Sequence, residues 1–309
     1  MKRVAVTGGR SPIGRQIIGR LQDDPSIESV RGVETSARSE SGGRDDVDVV
    51  PLVPDHRPFV EYLEKEQIDT VVQCGLTSDR CGRLSTPDEA DVITTMCLGT
   101  AIAHESTRVR SWVLLSSTSI YPIGSRSSLL QREDQEIHFD ELEARASIAE
   151  AEEYARDVAI RNPHINVSIL RLQQLIGRGM VGPLSALLSR ESIPTLIGFD
   201  PSVQLLHAED AVDAAVFAAI HELAGIYNIA SSGSIHWQDA VRATDRPAVP
   251  VLPLSVSILE PVQRLLRIPF VPSELFDLLR FGHAVDTRKI ERVGWHPKFD
   301  QHECLKSID

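Results

Sequence analysis

The chain has 309 residues, of which 42% are hydrophobic and 25% charged, and its 44 acidic and 32 basic residues give a net charge of −12. This composition is that of a globular protein and excludes wholesale disorder, and no run of 18 apolar residues indicates a membrane span. No block of Lys and Arg offsets the negative charge, so a nucleic-acid partner is not expected.

The first half of the chain has the pattern of an α/β fold. Apolar runs rich in Val, Ile and Leu alternate with longer amphipathic stretches, which is typical of a parallel sheet with crossover helices. The predicted strands are Lys2–Val6, Ser29–Val33, Val47–Val50, Asp69–Gln73, Ser111–Ser116 and Asn166–Leu170. The predicted helices are Ile13–Leu21, Arg57–Glu66, Asp88–Glu105 and Asp140–Arg161, the last with a capping-box-like Asp140 and Glu143. The fold class that follows is a doubly wound parallel sheet.

The second half of the chain has a different rhythm. Beyond Arg171, proline becomes frequent and the apolar segments become shorter and helix-like. We predict a first domain over residues 1–172 and a smaller, intimately packed C-terminal lobe over residues 173–309.

The turn after the first strand has the features of a phosphate-binding loop. The segment Thr7–Gly14, TGGRSPIG, leads straight into a helix. Gly8 can turn the backbone sharply, Gly14 lets the helix pack closely on the strand, and the free amides of the helix start can face a pyrophosphate. Residues 1–172 are therefore predicted to be a dinucleotide-binding Rossmann domain. The residues of the turn that are predicted to contact the cofactor are Gly8, Gly9, Arg10, Ser11, Ile13 and Gly14.

An acidic residue at the end of the second strand indicates which dinucleotide is bound. Glu34 lies 20 residues after Gly14, where a carboxylate can accept hydrogen bonds from a ribose diol. Its charge favours NAD, whereas Arg10 and Arg38 could neutralise the 2′-phosphate of NADP. We predict NAD, with NADP as the alternative.

These motifs resemble the extended short-chain dehydrogenase/reductase family, that is the NAD-dependent epimerases and dehydratases, and in particular a UDP-glucose 4-epimerase-like subgroup. The family's TGxxGxxG is similar to Thr7–Gly14, with Ser11 in place of the middle glycine. Its HLAA segment is similar to Gln73–Leu76, which implies a cofactor contact at Gly75. Its SSxxVYG segment is similar to Ser116–Pro122, which implies that Ser117 is the catalytic Ser/Thr. Ser117 could donate a hydrogen bond to a substrate hydroxyl or carbonyl, and the alternative is a serine at a strand end that hydrogen bonds the backbone.

The resemblance continues into the C-terminal lobe. Four segments are similar to the family's substrate lobe: Leu205–Asp210, Gly225–Ala230, Asp286–Lys289 and Gly294–Pro297. Substrate contacts are predicted at Arg171, His207 and Arg288. The two arginines suit a diphosphate or a carboxylate. The alternatives are a helix cap for His207 and ion pairs for the two arginines.

The family's catalytic pair is missing. A Tyr four residues before a Lys normally trades a proton with a sugar hydroxyl, because the Lys lowers the Tyr pKa. Ala144 and Ile148 occupy these two positions, and the chain has no other Tyr-xxx-Lys. Four nearby side chains are candidate replacements as acid or base, with solvated helix-start charges as the alternative: His138, Asp140, Glu141 and Arg145.

Three functions are compatible with these motifs. The first is an NAD(P)-dependent epimerase- or dehydratase-like enzyme with an atypical active site, acting on a nucleotide sugar or a similar polar alcohol. The second is a redox-inactive cofactor-binding sensor or partner module. The third is a non-redox isomerase or lyase on the same scaffold. The expected partner is a small molecule, and a homodimer is one candidate assembly.

The chain start and the cysteines indicate the compartment. The opening MKRVAVTGG passes directly from two basic residues into a strand-like run, without the features of a signal peptide. Four cysteines show neither CxxC spacing nor a histidine at metal-ligand spacing: Cys74, Cys81, Cys97 and Cys304. We expect a cytoplasmic protein with reduced thiols and no metal site.

Overall fold

The computed structural model describes residues 1–34, 47–50, 55–74, 89–125, 127–137, 146–177, 182–253 and 273–308. The strands are β1 (Lys2–Thr7), β2 (Ile27–Glu34), β3 (Val47–Val49), β4 (Thr70–Gln73), β5 (Ser111–Ser117), β6 (Asn166–Leu172), β7 (Gln174–Ile176), β8 (Ile193–Leu196), β9 (Ser202–Val203), β10 (Leu205–His207), β11 (Gly225–Ile229), β12 (Ile235–His236) and β13 (Ala248–Val251). The helices are α1 (Pro12–Gln22), α2 (Arg57–Lys65), α3 (Glu89–Ile102), α4 (Ala146–Arg161), α5 (Pro183–Leu188), α6 (Ala208–His221), α7 (Trp237–Ala243), α8 (Ser273–Phe281), α9 (Arg288–Arg292) and α10 (Gln301–Lys306), with a 3₁₀ turn at Thr118–Ile120.

The main sheet has seven strands in the order β11-β6-β5-β4-β1-β2-β3, and all neighbouring pairs are parallel. The order reverses between β1 and β4, which is the topological switch point where ligands of doubly wound sheets bind. The predicted fold class is confirmed, and each of the six predicted strands is present within a few residues of its predicted bounds. The capping box predicted at residues 140–143 lies outside the described residues.

The seventh strand corrects one interpretation of the sequence. The resemblance assigns the segment Gly225–Ala230 to the substrate lobe, but Gly225–Ile229 is the edge strand β11, paired with β6. Only the last three residues of this strand are buried. Such a short, half-exposed strand lacks the continuous apolar run that marks the other strands.

Both faces of the sheet are covered by helices, so the strands have apolar side chains on both faces. Val4 and Val6 pack in one core with α1 and α6, whereas Ala5 packs in a second core with α2, α3 and α4. Side chains alternate between the two faces of a strand, which explains why neighbours in β1 belong to different cores.

The C-terminal part has its own core around Trp237 and Leu279. Three two-stranded sheets lie there, β10–β7, β12–β9 and β13–β8. The chain returns to the main sheet through α6 and β11. Residues 173–309 therefore contribute both to the C-terminal core and to the core that α1 and α6 form on one face of the main sheet. The boundary at residue 172 stays a prediction.

None of the helices in the described ranges is long and apolar enough to cross a membrane. Within the same ranges, no group of three or more His, Cys, Asp or Glu side chains is arranged to hold a metal ion.

Candidate functional site

The turn after β1 requires glycine at two positions. Gly8 has a φ of +70°, in the left-handed region that residues with a side chain rarely adopt. A Cβ on Gly14 would lie 2.3 Å from the carbonyl oxygen of Gly8. The first turn of α1 therefore packs directly against the backbone of the loop.

Ser11, which stands where the family pattern has glycine, caps α1. Its Oγ donates to the Gly8 carbonyl oxygen at 2.7 Å and accepts from the Gly14 amide at 3.0 Å. Pro12 follows at the first helical position, where no amide hydrogen is needed. The next amide, that of Ile13, has no hydrogen-bond acceptor among the residues that the structure describes. A helix-start amide of this kind fits an anionic ligand.

Glu34 lies beside this turn at the end of β2. Its Oε1 accepts a hydrogen bond from the Arg10 amide at 2.8 Å, so the carboxylate is held against the loop. The negative charge of Glu34 also acts on Cys74, whose thiol pKa is raised to about 12 by burial first and by this charge second. Two predicted cofactor contacts, Arg38 and Gly75, lie outside the described residues.

Ser117 ends β5, two strands away from β1 in the sheet. Its side chain is almost buried, and its hydroxyl oxygen accepts from the Ser119 amide at 3.2 Å and lies 2.6 Å from the Ser119 hydroxyl. Ser117 thereby caps the 3₁₀ turn Thr118–Ile120. Both functions considered for this serine, backbone capping and a ligand contact, fit its position at the carboxyl edge of the sheet.

The position expected for the catalytic lysine is occupied by Ile148, which is packed among apolar and aromatic side chains. Ile148 is 1% exposed, and its neighbours are apolar or aromatic: Ile120, Tyr121, Ala149, Ala230 and Val285. Ala144 and the four candidate acid or base residues at 138–145 lie outside the described residues. Tyr154, farther along α4, hydrogen bonds through its hydroxyl to Thr100 of α3 at 2.8 Å and so points towards that helix.

The three predicted substrate contacts are engaged by the protein itself. Arg171 on β6 is 1% exposed and forms an ion pair with Glu152 at 2.7 Å. His207 caps α6 by accepting the Glu209 amide at 3.2 Å, and Arg288 hydrogen bonds through Nε to both carboxylate oxygens of Asp286. These are the alternatives that the sequence left open, and the substrate contacts themselves stay predictions.

Arg288 differs from Arg171 in its surroundings. Its side chain is largely exposed and opens on a surface cleft of about 290 Å³ that Lys289 and Arg292 also line. The Arg288 guanidinium holds the pKa of the Asp286 carboxyl below its usual range. Arg171, in contrast, belongs to a closed internal network.

That network contains functional candidates that the sequence analysis did not single out. Glu152 on α4 has no exposed surface and accepts hydrogen bonds from Arg171 and from Ser116, while Tyr121 bonds to Arg171 and Asn228. The signal available in the sequence was the spacing: Glu152 follows Ile148 by four residues, so both project from one face of α4.

Comparisons with known proteins extend these observations. A sequence model of the NAD dependent epimerase/dehydratase family matches residues 4–230. Uncharacterized proteins of Mycobacterium tuberculosis and Mycobacterium bovis are each 31% identical to the chain over 311 residues, which cover 98% of this chain and 82% of each relative.

Solved structures share the fold. The UDP-glucuronic acid 4-epimerase of Bacillus cereus in complex with NAD has a TM-score of 0.70 at 14% identity, covering 99% of this chain and 96% of that protein. The UDP-glucose 4-epimerase of Thermus thermophilus in complex with NAD has a TM-score of 0.70 at 17% identity, covering 99% and 97%.

Proposed function

Since the chain belongs to the NAD dependent epimerase/dehydratase family, we propose that it binds NAD and acts on a nucleotide sugar or a similar polar alcohol without the usual Tyr–Lys pair. The NAD would lie across the carboxyl ends of the strands, with its pyrophosphate on the turn Thr7–Gly14. Ser117 would hydrogen bond the substrate hydroxyl.

One observation supports this proposal: the start of α1 packs against the backbone of the turn as closely as a dinucleotide-binding turn requires. Gly14 leaves no space for a side chain against Gly8, and the Ile13 amide points from the helix start without an acceptor in the described part of the chain. Glu34 is held 2.8 Å from the Arg10 amide, at the end of the adjacent strand. The residues present therefore fit the cofactor.

The chemistry divides between the cofactor and the chain. When bound, NAD supplies the acceptor for a hydride from a carbinol carbon. The chain would orient the carbinol through Ser117, whose hydroxyl is held by the Ser119 amide. Ile148 supplies no proton-transfer group, so a fast reaction would need an acid or base from another residue.

The direct test is calorimetry with NAD and then with UDP-glucose added to the NAD-loaded protein. We expect both to bind. Ser117→Ala should leave NAD affinity unchanged and weaken UDP-glucose by about fivefold, the scale of one lost hydrogen bond. Ser111→Ala is the matched control, since Ser111 is a buried serine at the other end of β5. A parent protein that does not bind NAD would overturn the proposal.

The packing of Ile148 favours a second candidate, a cofactor-binding module without redox turnover. An apolar side chain buried among apolar neighbours leaves no polar contact to substrate at this point of α4. The two candidates differ in one measurement. An enzyme converts bound nucleotide sugar or reduces its NAD, whereas a module binds its ligands unchanged.

The assembly we propose is a homodimer formed through α3. From Val92 to Ile102 this helix has no charged residue, and Ile93 and Met96 on its outer side are 38% and 41% exposed. Exposed apolar side chains on an uncharged helix segment are typical of a surface that a partner covers. The neighbouring helix α4 carries exposed charges of both signs, Arg156 and Asp157, so like charges would not dominate a face shared by two copies.

Sedimentation tests this assembly. The parent protein should sediment as a dimer at micromolar concentration, and Met96→Glu should shift it towards the monomer because a charge would enter the interface. Leu129→Glu changes a highly exposed leucine outside this helix and should leave the dimer intact. A monomeric parent protein would exclude the assembly.

We also propose a cytoplasmic location, which the cysteines support. Cys74, Cys97 and Cys304 are unpaired thiols. Burial is the main reason that all three have raised pKa values. Thiols of this kind are inert and suit a reducing compartment.

A further inference from the structure

The buried ion pair between Glu152 and Arg171 lies directly behind the candidate substrate serine. Arg171 is paired with Ser116 in the parallel register of β5 and β6, and Ser117 is the next residue. Both charged side chains are closed to solvent, with 0% and 1% exposure. A buried ion pair is costly to desolvate and adds little net stability compared with apolar packing, so its presence calls for another explanation.

Glu152 binds the residue before Ser117. Its Oε1 accepts the Ser116 hydroxyl at 2.6 Å, and its two oxygens accept Nε and Nη2 of Arg171 at 3.1 and 2.7 Å. The carboxylate therefore fixes the end of β5 in direct contact with α4. Burial alone would lower the pKa of Arg171, but the Glu152 charge raises it above its usual value, so the guanidinium stays protonated.

Arg171 binds the residue after the 3₁₀ turn. Its Nη1 donates to the Tyr121 hydroxyl at 2.8 Å, and this hydroxyl donates to Oδ1 of Asn228 on β11 at 2.7 Å. Within the turn, the Thr118 hydroxyl donates to Gln173 at 2.8 Å. Burial raises the pKa of Tyr121, so this phenol is neutral and serves as a hydrogen-bond link.

From these contacts we infer that the Glu152–Arg171 ion pair positions Ser117. One partner holds Ser116 and the other holds Tyr121, so the segment between them has both ends fixed to the same pair of side chains. Fixed ends hold the Ser117 hydroxyl in one place, which lowers the entropy lost when a ligand hydroxyl binds it. Glu152 and Arg171 are positioning residues and touch no ligand. This inference rests on the proposed function, in which Ser117 contacts the sugar.

Mild variants test the inference without removing a buried charge. Ser116→Ala deletes the hydroxyl at one end, and Tyr121→Phe deletes the hydroxyl at the other. Ser111→Ala is the control: Ser111 is equally buried on the same strand, and its hydroxyl has no hydrogen-bond partner among the described residues.

The first readout is the affinity of the NAD-loaded protein for UDP-glucose. Ser116→Ala and Tyr121→Phe should each weaken it by about fivefold, the scale of one hydrogen bond, with NAD affinity unchanged. Adding Ser117→Ala to Ser116→Ala should cause no further loss, because both act through one hydroxyl. The inference would be overturned if the single variants kept the parental affinity for UDP-glucose. It would also be overturned if the affinity of the double variant fell by the product of the two single losses.

The second readout is hydrogen exchange of the Ser119 and Tyr121 amides, which the turn protects through Ser117 Oγ and the Thr118 carbonyl oxygen. Exchange should be faster in Ser116→Ala and Tyr121→Phe and unchanged in Ser111→Ala. If the parent protein does not bind UDP-glucose, the proposed function fails, whereas the exchange rates still decide whether the ion pair fixes the turn. Exchange equal to that of the parent in both variants would overturn the inference.

Discussion

The turn between β1 and α1 depends on backbone geometry, whereas the end of β5 beside α4 depends on side chains. At the turn, the family pattern is kept where a Cβ would collide, and Ser11 replaces a glycine by capping the helix with its own hydroxyl. At α4, an isoleucine packed among apolar neighbours stands at the expected lysine position. The proposed cofactor turn thus requires glycine for steric reasons, whereas the position expected for the catalytic lysine holds a side chain that contributes only packing.

The strongest test of this contrast is to restore the lysine. Ile148→Lys places an ammonium group in a cluster that holds no acidic side chain among the described residues, and it should destabilise the protein by about 3 to 5 kcal/mol. Urea unfolding measures the change. The control is Ile197→Lys, at a position that is 50% exposed, which should alter stability by less than about 0.5 kcal/mol. An equally stable Ile148→Lys protein would show that this position opens on solvent.

The turn can be broken with a single methyl group. Gly14→Ala would place a Cβ 2.3 Å from the Gly8 carbonyl oxygen, so the first turn of α1 must move. We expect NAD affinity to fall by at least about 100-fold, or about 2.7 kcal/mol. Gly19→Ala on the same helix meets no atom within 4 Å and should keep NAD affinity while raising thermal stability, because alanine favours helix. NAD affinity that survives Gly14→Ala would place the cofactor elsewhere.

Glu34 sharpens the description of the cofactor half. Glu34→Ala removes both the acceptor of the Arg10 amide and the proposed acceptor of the ribose hydroxyls. NAD binding should weaken by about 1 to 2 kcal/mol, the scale of a hydrogen bond to a charged group, and NADP should gain relative to NAD. Calorimetry with both dinucleotides measures this. Glu28→Ala, on the same strand but paired with Arg3 at the surface, should leave both affinities unchanged. An unchanged preference in Glu34→Ala would separate the ribose from this carboxylate.

The sequence predicted the elements of the main sheet well because apolar runs alternate with longer amphipathic stretches. Strands β1 and β4 to β6 are largely buried on both faces, and the glycine spacing of Thr7–Gly14 has a direct steric meaning. The edge strand β11 was missed as a sheet strand because only its second half is buried. Local pattern therefore identifies a strand best where both of its faces are covered.

Side-chain partners were predicted less well than elements. Arg171 was predicted to contact substrate, with an ion pair as the alternative, but its partner Glu152 lies 19 residues earlier on another element, and no local pattern links them. His207 likewise could be a ligand contact or a helix cap, and the structure shows it accepting the Glu209 amide. Such choices depend on tertiary contacts that periodicity does not contain.

The central claim is that the chain keeps a dinucleotide and nucleotide-sugar site without the proton-transferring pair. The most direct measurement follows UDP-glucose and UDP-galactose interconversion by the NAD-loaded protein, together with the absorbance of reduced nicotinamide. General acid and base groups raise a reaction rate by about 10²- to 10⁴-fold, so we predict that NAD binds and that turnover is absent or very slow. The double variant Ala144→Tyr with Ile148→Lys tests whether the site still suits the reaction. Parental turnover at ordinary enzyme rates, roughly 1 to 10³ per second, would contradict the account.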